Sequence, residues 1–187
     1  MMQKLTNDML LYHGSYCEVQ VPDLKKCAKY KDFGQGFYLT SSRKQAENFA
    51  KISVRKAAAH GIADIDRRYG IVSVFRFSFV EKVVVKIYPT ADADWLRCIV
   101  GHRKIKTFPD VVQALKDIDI IGGKIANDNT NATITTYMAG GFGEVGTKSA
   151  EDICINLLLP ERLQDQFCFK TDKALQCLAY VESEQVE

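Results

Sequence analysis

Two short segments hold the residue types from which a reactive site can be built. Leu11-Tyr12-His13-Gly14-Ser15 carries a histidine out of an apolar run into a Gly-Ser turn. Asp32-Phe33-Gly34-Gln35-Gly36-Phe37-Tyr38-Leu39-Thr40 sets a Gly-x-Gly turn ahead of a short aromatic run, and Phe49 follows Tyr38 by eleven residues. Imidazole can hold a proton near neutral pH, glycine lets backbone groups approach a ligand, and aromatic faces stack on planar rings. Each piece also has an ordinary explanation. A histidine at a strand end is more often structural than catalytic, a Gly-x-Gly is commonly a turn, and Tyr38 and Phe49 are types that fill cores. Singly, none of them supports a function.

The surrounding pattern supplies elements to position them. Met9 to His13 reads as a strand stopped by Gly14, and Phe37 to Thr40 as a short β-prone run. Ala46, Phe49, Ala50, Ser53 and Ala57 recur at helical spacing, with Ser41 or Ser42 as cap and His60-Gly61 as stop. Between the two segments, Pro22 to Phe33 is polar and irregular. Strands are expected at Ile71–Phe79, Val83–Tyr88, Ile118–Ala126 and Gln166–Lys170. Helices are expected from Asp92 to Val100, from Val111 to Lys116, from Asn129 or Thr130 to Met138, and from a capping box Ser149–Asp152 to Leu159 before Pro160. A flexible glycine-rich loop is expected from Gly140 to Gly146, and a last helix, capped by Thr171, through Val181. Strands and helices alternate irregularly, which predicts α+β rather than a doubly wound sheet.

Composition bounds the rest. The 187 residues suit one domain, 1–187, with no repeat, low-complexity tract or linker. A hydrophobic fraction of 47% and a charged fraction of 26% exclude a disordered chain. The net charge of +2, with Lys and Arg scattered among acids, does not by itself imply nucleic acid. No run approaches the roughly 20 apolar residues of a membrane span, and the first residues lack the apolar run of a signal peptide. Six cysteines without a CxxC pair, mostly in apolar runs, read as reduced thiols in a cytoplasmic protein and make no zinc site. No GxGxxG follows the first strand and no P-loop pattern is present, so the usual sequence signs of dinucleotide or nucleoside-triphosphate binding are missing.

In combination, YHGS, GQGFYLT and a helix bearing Phe49 resemble the NAD-binding core of the ADP-ribosyltransferase superfamily, in its diphtheria-toxin and poly(ADP-ribose) polymerase branch. The chain also looks like a group of short bacterial proteins with YHGS and DFGxGFYLT motifs. Residues 10 to 50 carry most of the likeness. It implies a split β-sheet core with flanking helices and NAD as substrate, with no metal. His13 would then bond the adenosine ribose, and Gly14 would meet the nicotinamide carboxamide with its backbone. Tyr38 and Phe49 would sandwich the nicotinamide ring, while Ser15 adds a hydroxyl. Relatives carry a helix serine toward the carboxamide. Ala46 stands there, so Ser42 or Thr40 would have to compensate.

The third position of the resemblance is a glutamate at the head of a late strand, which stabilises the oxocarbenium-like transition state. Gln166 matches it here. It can orient a ribose hydroxyl but brings no charge, so polymer elongation is not expected. Asp165 is adjacent, but neighbouring strand residues face opposite ways, and Gln166 is preferred on reach and register. Glu144 and Glu151 are outside candidates. The implied activity is mono-ADP-ribosylation of a macromolecular acceptor, protein or nucleic acid, in the manner of a toxin or effector, with room for an inhibitory partner protein. The alternative is an NAD-binding module that has lost transfer. RNA 2′-phosphotransfer and the arginine-specific toxin branch fit less well, since Arg67-Arg68 lies in no motif and Thr40-Ser41-Ser42 has no late glutamate pair after it. His60 and His102 read as surface caps at helix ends. Lys25, Lys26, Lys29 and Lys31 read as a solvated face flanking the expected pocket.

Overall fold

The computed structural model describes residues 2–104, 106–125, 128–159 and 163–187, without the side chains of residues 128 and 129. Strand β1 (Met9–Ser15) runs antiparallel to β3 (Gly70–Phe77), which pairs on its other edge with β7 (Leu178–Val186). A second sheet has the order β2-β6-β5-β4, from Phe37–Leu39, Asp165–Phe169, Ile120–Lys124 and Val85–Ile87. Only its β4–β5 pair is parallel. The class is α+β, as the irregular alternation predicts.

Side-chain alternation stacks these sheets into layers. Leu11, Phe37, Leu39, Phe75, Phe77, Ile120, Phe167 and Phe169 meet between the sheets, joined by Met2 and Leu5 from the N-terminal segment. On the far side of the second sheet, Tyr38, Ile121 and Cys168 pack with residues of α2 (Ala93–Arg103), α4 (Asp128–Met138) and α5 (Lys148–Leu158). On the outer side of the first, α1 (Arg43–Ala59) lays Ala46 and Ala50 on Val72 and Val74. A short helix α3 (Pro109–Ala114) follows α2. No described helix is long and apolar enough to cross a membrane.

Caps explain several boundaries. Ser42 Oγ accepts from the Gln45 N–H at the start of α1, Asp92 does the same for Trp95 in α2, and His60 closes α1. At α5 the expected Ser149 cap is replaced by Thr147, whose hydroxyl bonds the Glu144 carbonyl instead of the helix. The expected stop at Pro160 and the end of β5 at Ala126 lie outside the described residues. The expected loop Gly140–Gly146 is a tied turn, with the Gly146 N–H donating to the Tyr137 hydroxyl at 2.9 Å.

The chief correction is at the C-terminal end. The helix expected from Thr171 through Val181 is only α6 (Asp172–Leu175), and β7 follows it. Leu-Ala-Tyr-Val-Glu-Ser-Glu-Gln has weak strand preference by itself, but the open edge of β3 offers it a full ladder from Gly70 to Phe77.

Candidate functional site

The backbones of the two sheets meet where Tyr12 and Thr40 exchange hydrogen bonds of 2.8 and 3.0 Å. A continued antiparallel ladder would next pair Gly14 with Tyr38. Instead the Tyr38 carbonyl accepts from His13 Nδ1 at 2.8 Å, and β1 and β2 part around the imidazole. A carbonyl only accepts, so Nδ1 carries the hydrogen and Nε2 of the neutral ring is an acceptor. Burial pushes the His13 pKa below its ordinary 6.5, against the bond to Tyr38, which raises it. The ring lies 4.5 Å from Phe37, tilted by 36°. By the two-residue period of β1, the Gly14 N–H and C=O face the same side as those of Tyr12, toward the parting strands.

A cavity of about 910 Å³ occupies this split. Its lining brings together the six residues to which the resemblance assigns contacts: His13, Gly14 and Ser15 from β1, Tyr38 from β2, Phe49 from α1 and Gln166 from β6. Phe49 is 39% exposed, so part of its surface stays open to solvent. The Tyr38 hydroxyl is committed: it accepts from the Phe33 N–H at 2.9 Å and donates to the Gly34 carbonyl at 2.8 Å. These bonds fix the ring, and burial holds the phenol protonated, well above its ordinary value of 10.0.

Gly14 has a packing reason as well. A Cβ there would stand 1.9 Å from the Ala46 carbonyl oxygen and 2.8 Å from the Ala50 nitrogen, so α1 rests directly on β1 at this residue. The Thr40 and Ser42 hydroxyls expected to compensate for Ala46 are spoken for. Thr40 Oγ1 donates to the Asp165 carbonyl and accepts from the Ser42 N–H, and Ser42 caps α1. In a capping box Gln45 would bond that same Ser42 N–H. Displaced by Thr40, the Gln45 carboxamide is buried with no partner among the described residues on either polar atom.

Gln166 and Asp165 divide as strand alternation requires. Gln166 faces the cavity, whereas Asp165 turns toward the space between the sheets, bonding Lys124 Nζ at 2.7 Å and the Gln3 N–H at 2.6 Å. Asp165 is thereby excluded as the pocket group. Glu151 is excluded too, since it is buried in a two-bond pair with Arg97 at 2.7 and 2.9 Å, and Glu144 is exposed outside the cavity. Arg67 lies over the Tyr69 ring and does not line the cavity. His102 is no surface cap: it is half-buried in the last turn of α2 under Gly34, where a Cβ would meet its ring at 2.6 Å.

Three groups escape a reading of the sequence. Asp32, 8% exposed, lines the cavity and accepts from Gln166 Nε2 at 2.8 Å through Oδ2. Its Oδ1 receives Arg103 Nε and Nη2 at 2.9 and 2.6 Å. Gln35, the middle residue of Gly-x-Gly, donates to the Leu24 and Cys27 carbonyls and ties down the segment that borders the cavity. Asp32 opens a motif already singled out, and that was the one available signal. Arg103 gives none, being a helix-end arginine far along the chain. Lys26 and Lys31 do border the cavity and are exposed, while Lys25 and Lys29 are exposed beside them.

Fold and site together define an α+β protein with a deep cleft between two splayed sheets, walled by aromatic and hydrogen-bonding groups. The chain belongs to the family described as a protein of unknown function (DUF3990), whose model matches residues 9–180. No curated protein and no solved structure matches it. Among the described residues no group of three or more His, Cys, Asp or Glu is placed to hold a metal ion.

Proposed function

We propose that this chain is an NAD-dependent mono-ADP-ribosyltransferase, built on an ADP-ribosyltransferase-like split sheet. The observation that carries the reading is the convergence of His13, Gly14, Ser15, Tyr38, Phe49 and Gln166, from four separate elements, on one cavity at the split. Its volume of about 910 Å³ is at the upper end for a ligand site and suits a dinucleotide. In this reading His13 Nε2 accepts a hydroxyl hydrogen of the adenosine ribose. The Gly14 backbone meets the carboxamide, and the faces of Tyr38 and Phe49 take the nicotinamide ring.

The bond between the nicotinamide nitrogen and the ribose breaks, and its electron pair leaves with the nicotinamide. A nucleophile on a macromolecular acceptor, protein or nucleic acid, then bonds the ribose carbon and releases its proton. An acceptor docks against the segment bearing Lys26 and Lys31, and a toxin or effector of this kind would act in the cytoplasm and need an inhibitory partner protein.

Nicotinamide release from NAD, by purified protein with cell lysate as acceptor source, tests the proposal. Release is expected from the wild type and lost in His13→Ala with the fold retained. Release that survives His13→Ala would sink it. A second reading, a binding module without transfer, is favoured by one observation: the carboxylate beside Gln166 already faces the Arg103 guanidinium. NAD binding without release, lysate present, would select it.

A further inference from the structure

The geometry points to Asp32 and Arg103 as positioning residues that set which end of the Gln166 carboxamide meets the substrate. This inference rests on the NAD reading of the cavity. An ionised carboxylate only accepts hydrogen bonds, so the Gln166 atom against Asp32 Oδ2 at 2.8 Å must be the amide nitrogen. Its second hydrogen lies toward the Lys124 carbonyl at 3.5 Å. With Nε2 held from that side, Oε1 is the atom left to serve the cavity that Gln166 lines. Arg103 holds Asp32 in turn with two bonds to Oδ1 from a rigid planar fork, and its Nη1 is steadied by Asn131 Oδ1 at 2.8 Å.

Gln166 thus presents a hydroxyl acceptor, as a glutamate would, although it carries no charge itself. The negative charge stands one hydrogen bond further back, on Asp32. The residue that resembles a lost glutamate is then half of an exchanged pair, Asp32 with Gln166 in place of an amide at 32 with a carboxylate at 166. The hydrogen bonds permit that exchange. An asparagine at 32 would accept from Arg103 through Oδ1 and donate through Nδ2 to a carboxylate at 166.

The exchange makes the test. NAD and ADP-ribose affinities by calorimetry, and nicotinamide release, are measured for the wild type, Asp32→Asn, Gln166→Glu and the double variant, with melting curves as the folding control. In Asp32→Asn the new Nδ2 turns the Gln166 amide over and replaces its acceptor with a donor. NAD affinity or release should fall by about tenfold, the scale of one mismatched buried hydrogen bond. Gln166→Glu sets two carboxylates side by side, so one retains a proton, and activity should fall rather than rise. The double variant should recover at least the wild-type level.

Recovery of affinity and release beyond any recovery of melting temperature is the signature that a merely structural role would not give, because two residues in direct contact couple in stability as well. A double variant worse than both single variants overturns the inference while leaving the NAD reading intact, and so does an Asp32→Asn protein that binds and releases like the wild type. Should Asp32→Asn fail to fold, the comparison of Gln166→Glu with the double variant decides alone: the second substitution must improve the first. If the wild type binds neither NAD nor ADP-ribose, the NAD reading fails and this inference falls with it.

Discussion

His13 does two things in this structure, and they can be separated by pH. Its ring parts the strands by taking the Tyr38 carbonyl, and its burial depresses the imidazole pKa below 6.5. The unfolded chain therefore takes up the proton first as pH falls. Stability from His13 is complete above 6.5 and is lost as pH drops from there toward the folded-state pKa. His102, also lowered by burial, acts in the same window. The carboxylates act lower. Asp119, raised by burial but pulled below 3.8 by bonds from Lys173, Thr171 and the Val84 N–H, and Glu18, held below 4.5 by Tyr180 and Ser183, lose their contributions only in stronger acid. Melting temperature should fall from pH 6.5 to 4.5, and less steeply in His13→Ala. Equal slopes would show that His13 does not titrate with folding. The place of this residue on the cavity wall was legible because motif and chain order marked it. The partners of Gln166 were not, since Asp32 and Arg103 are 71 residues apart and a cross-element ion pair leaves no periodic trace.

At the scale of elements, the site depends on how closely α1 approaches β1. Gly14 lies under Ala46 and Ala50 and Gly70 under Ala50, and a Cβ at either would meet helix atoms within 3.0 Å. Those neighbours include the backbone of a fully packed helix, so they cannot swing aside. Gly14→Ala should cost about 1–3 kcal/mol by overpacking, roughly 2–4 °C of melting temperature for each kcal/mol. An unchanged melt with weakened ligand binding would instead mean that the glycine serves only ligand approach. The α1 pattern was readable because alanines at helical spacing and a serine cap are local signals. The strand β7 was not, because its pairing depends on an edge of β3 about a hundred residues earlier and overrides local preference. The same limit applies to the Ser149 cap, where side-chain type suited the role and Thr147 held the position.

Across the whole molecule, both ends of the chain are built into the layers that hold the cavity open. Met2 and Leu5 enter the core between the sheets, Gln3 bonds Asp165, and β7 closes the free edge of β3 while its Glu184 pairs with Arg43 of α1. The cavity draws its walls from both sheets, so a ligand there stabilises the contact between them rather than one loop. Unfolding should then be a single transition that NAD moves as a unit. At 100 times the dissociation constant the gain is about 2.7 kcal/mol, or roughly 5–10 °C for a chain of this size. ADP-ribose, which lacks the nicotinamide ring, should give a smaller shift at equal concentration if Tyr38 and Phe49 grip that ring. Equal shifts from both ligands would place the affinity in the adenosine half, around His13, and leave the aromatic pair without a part in binding. No shift from either, with nicotinamide release also absent, would remove NAD from the reading of this fold altogether.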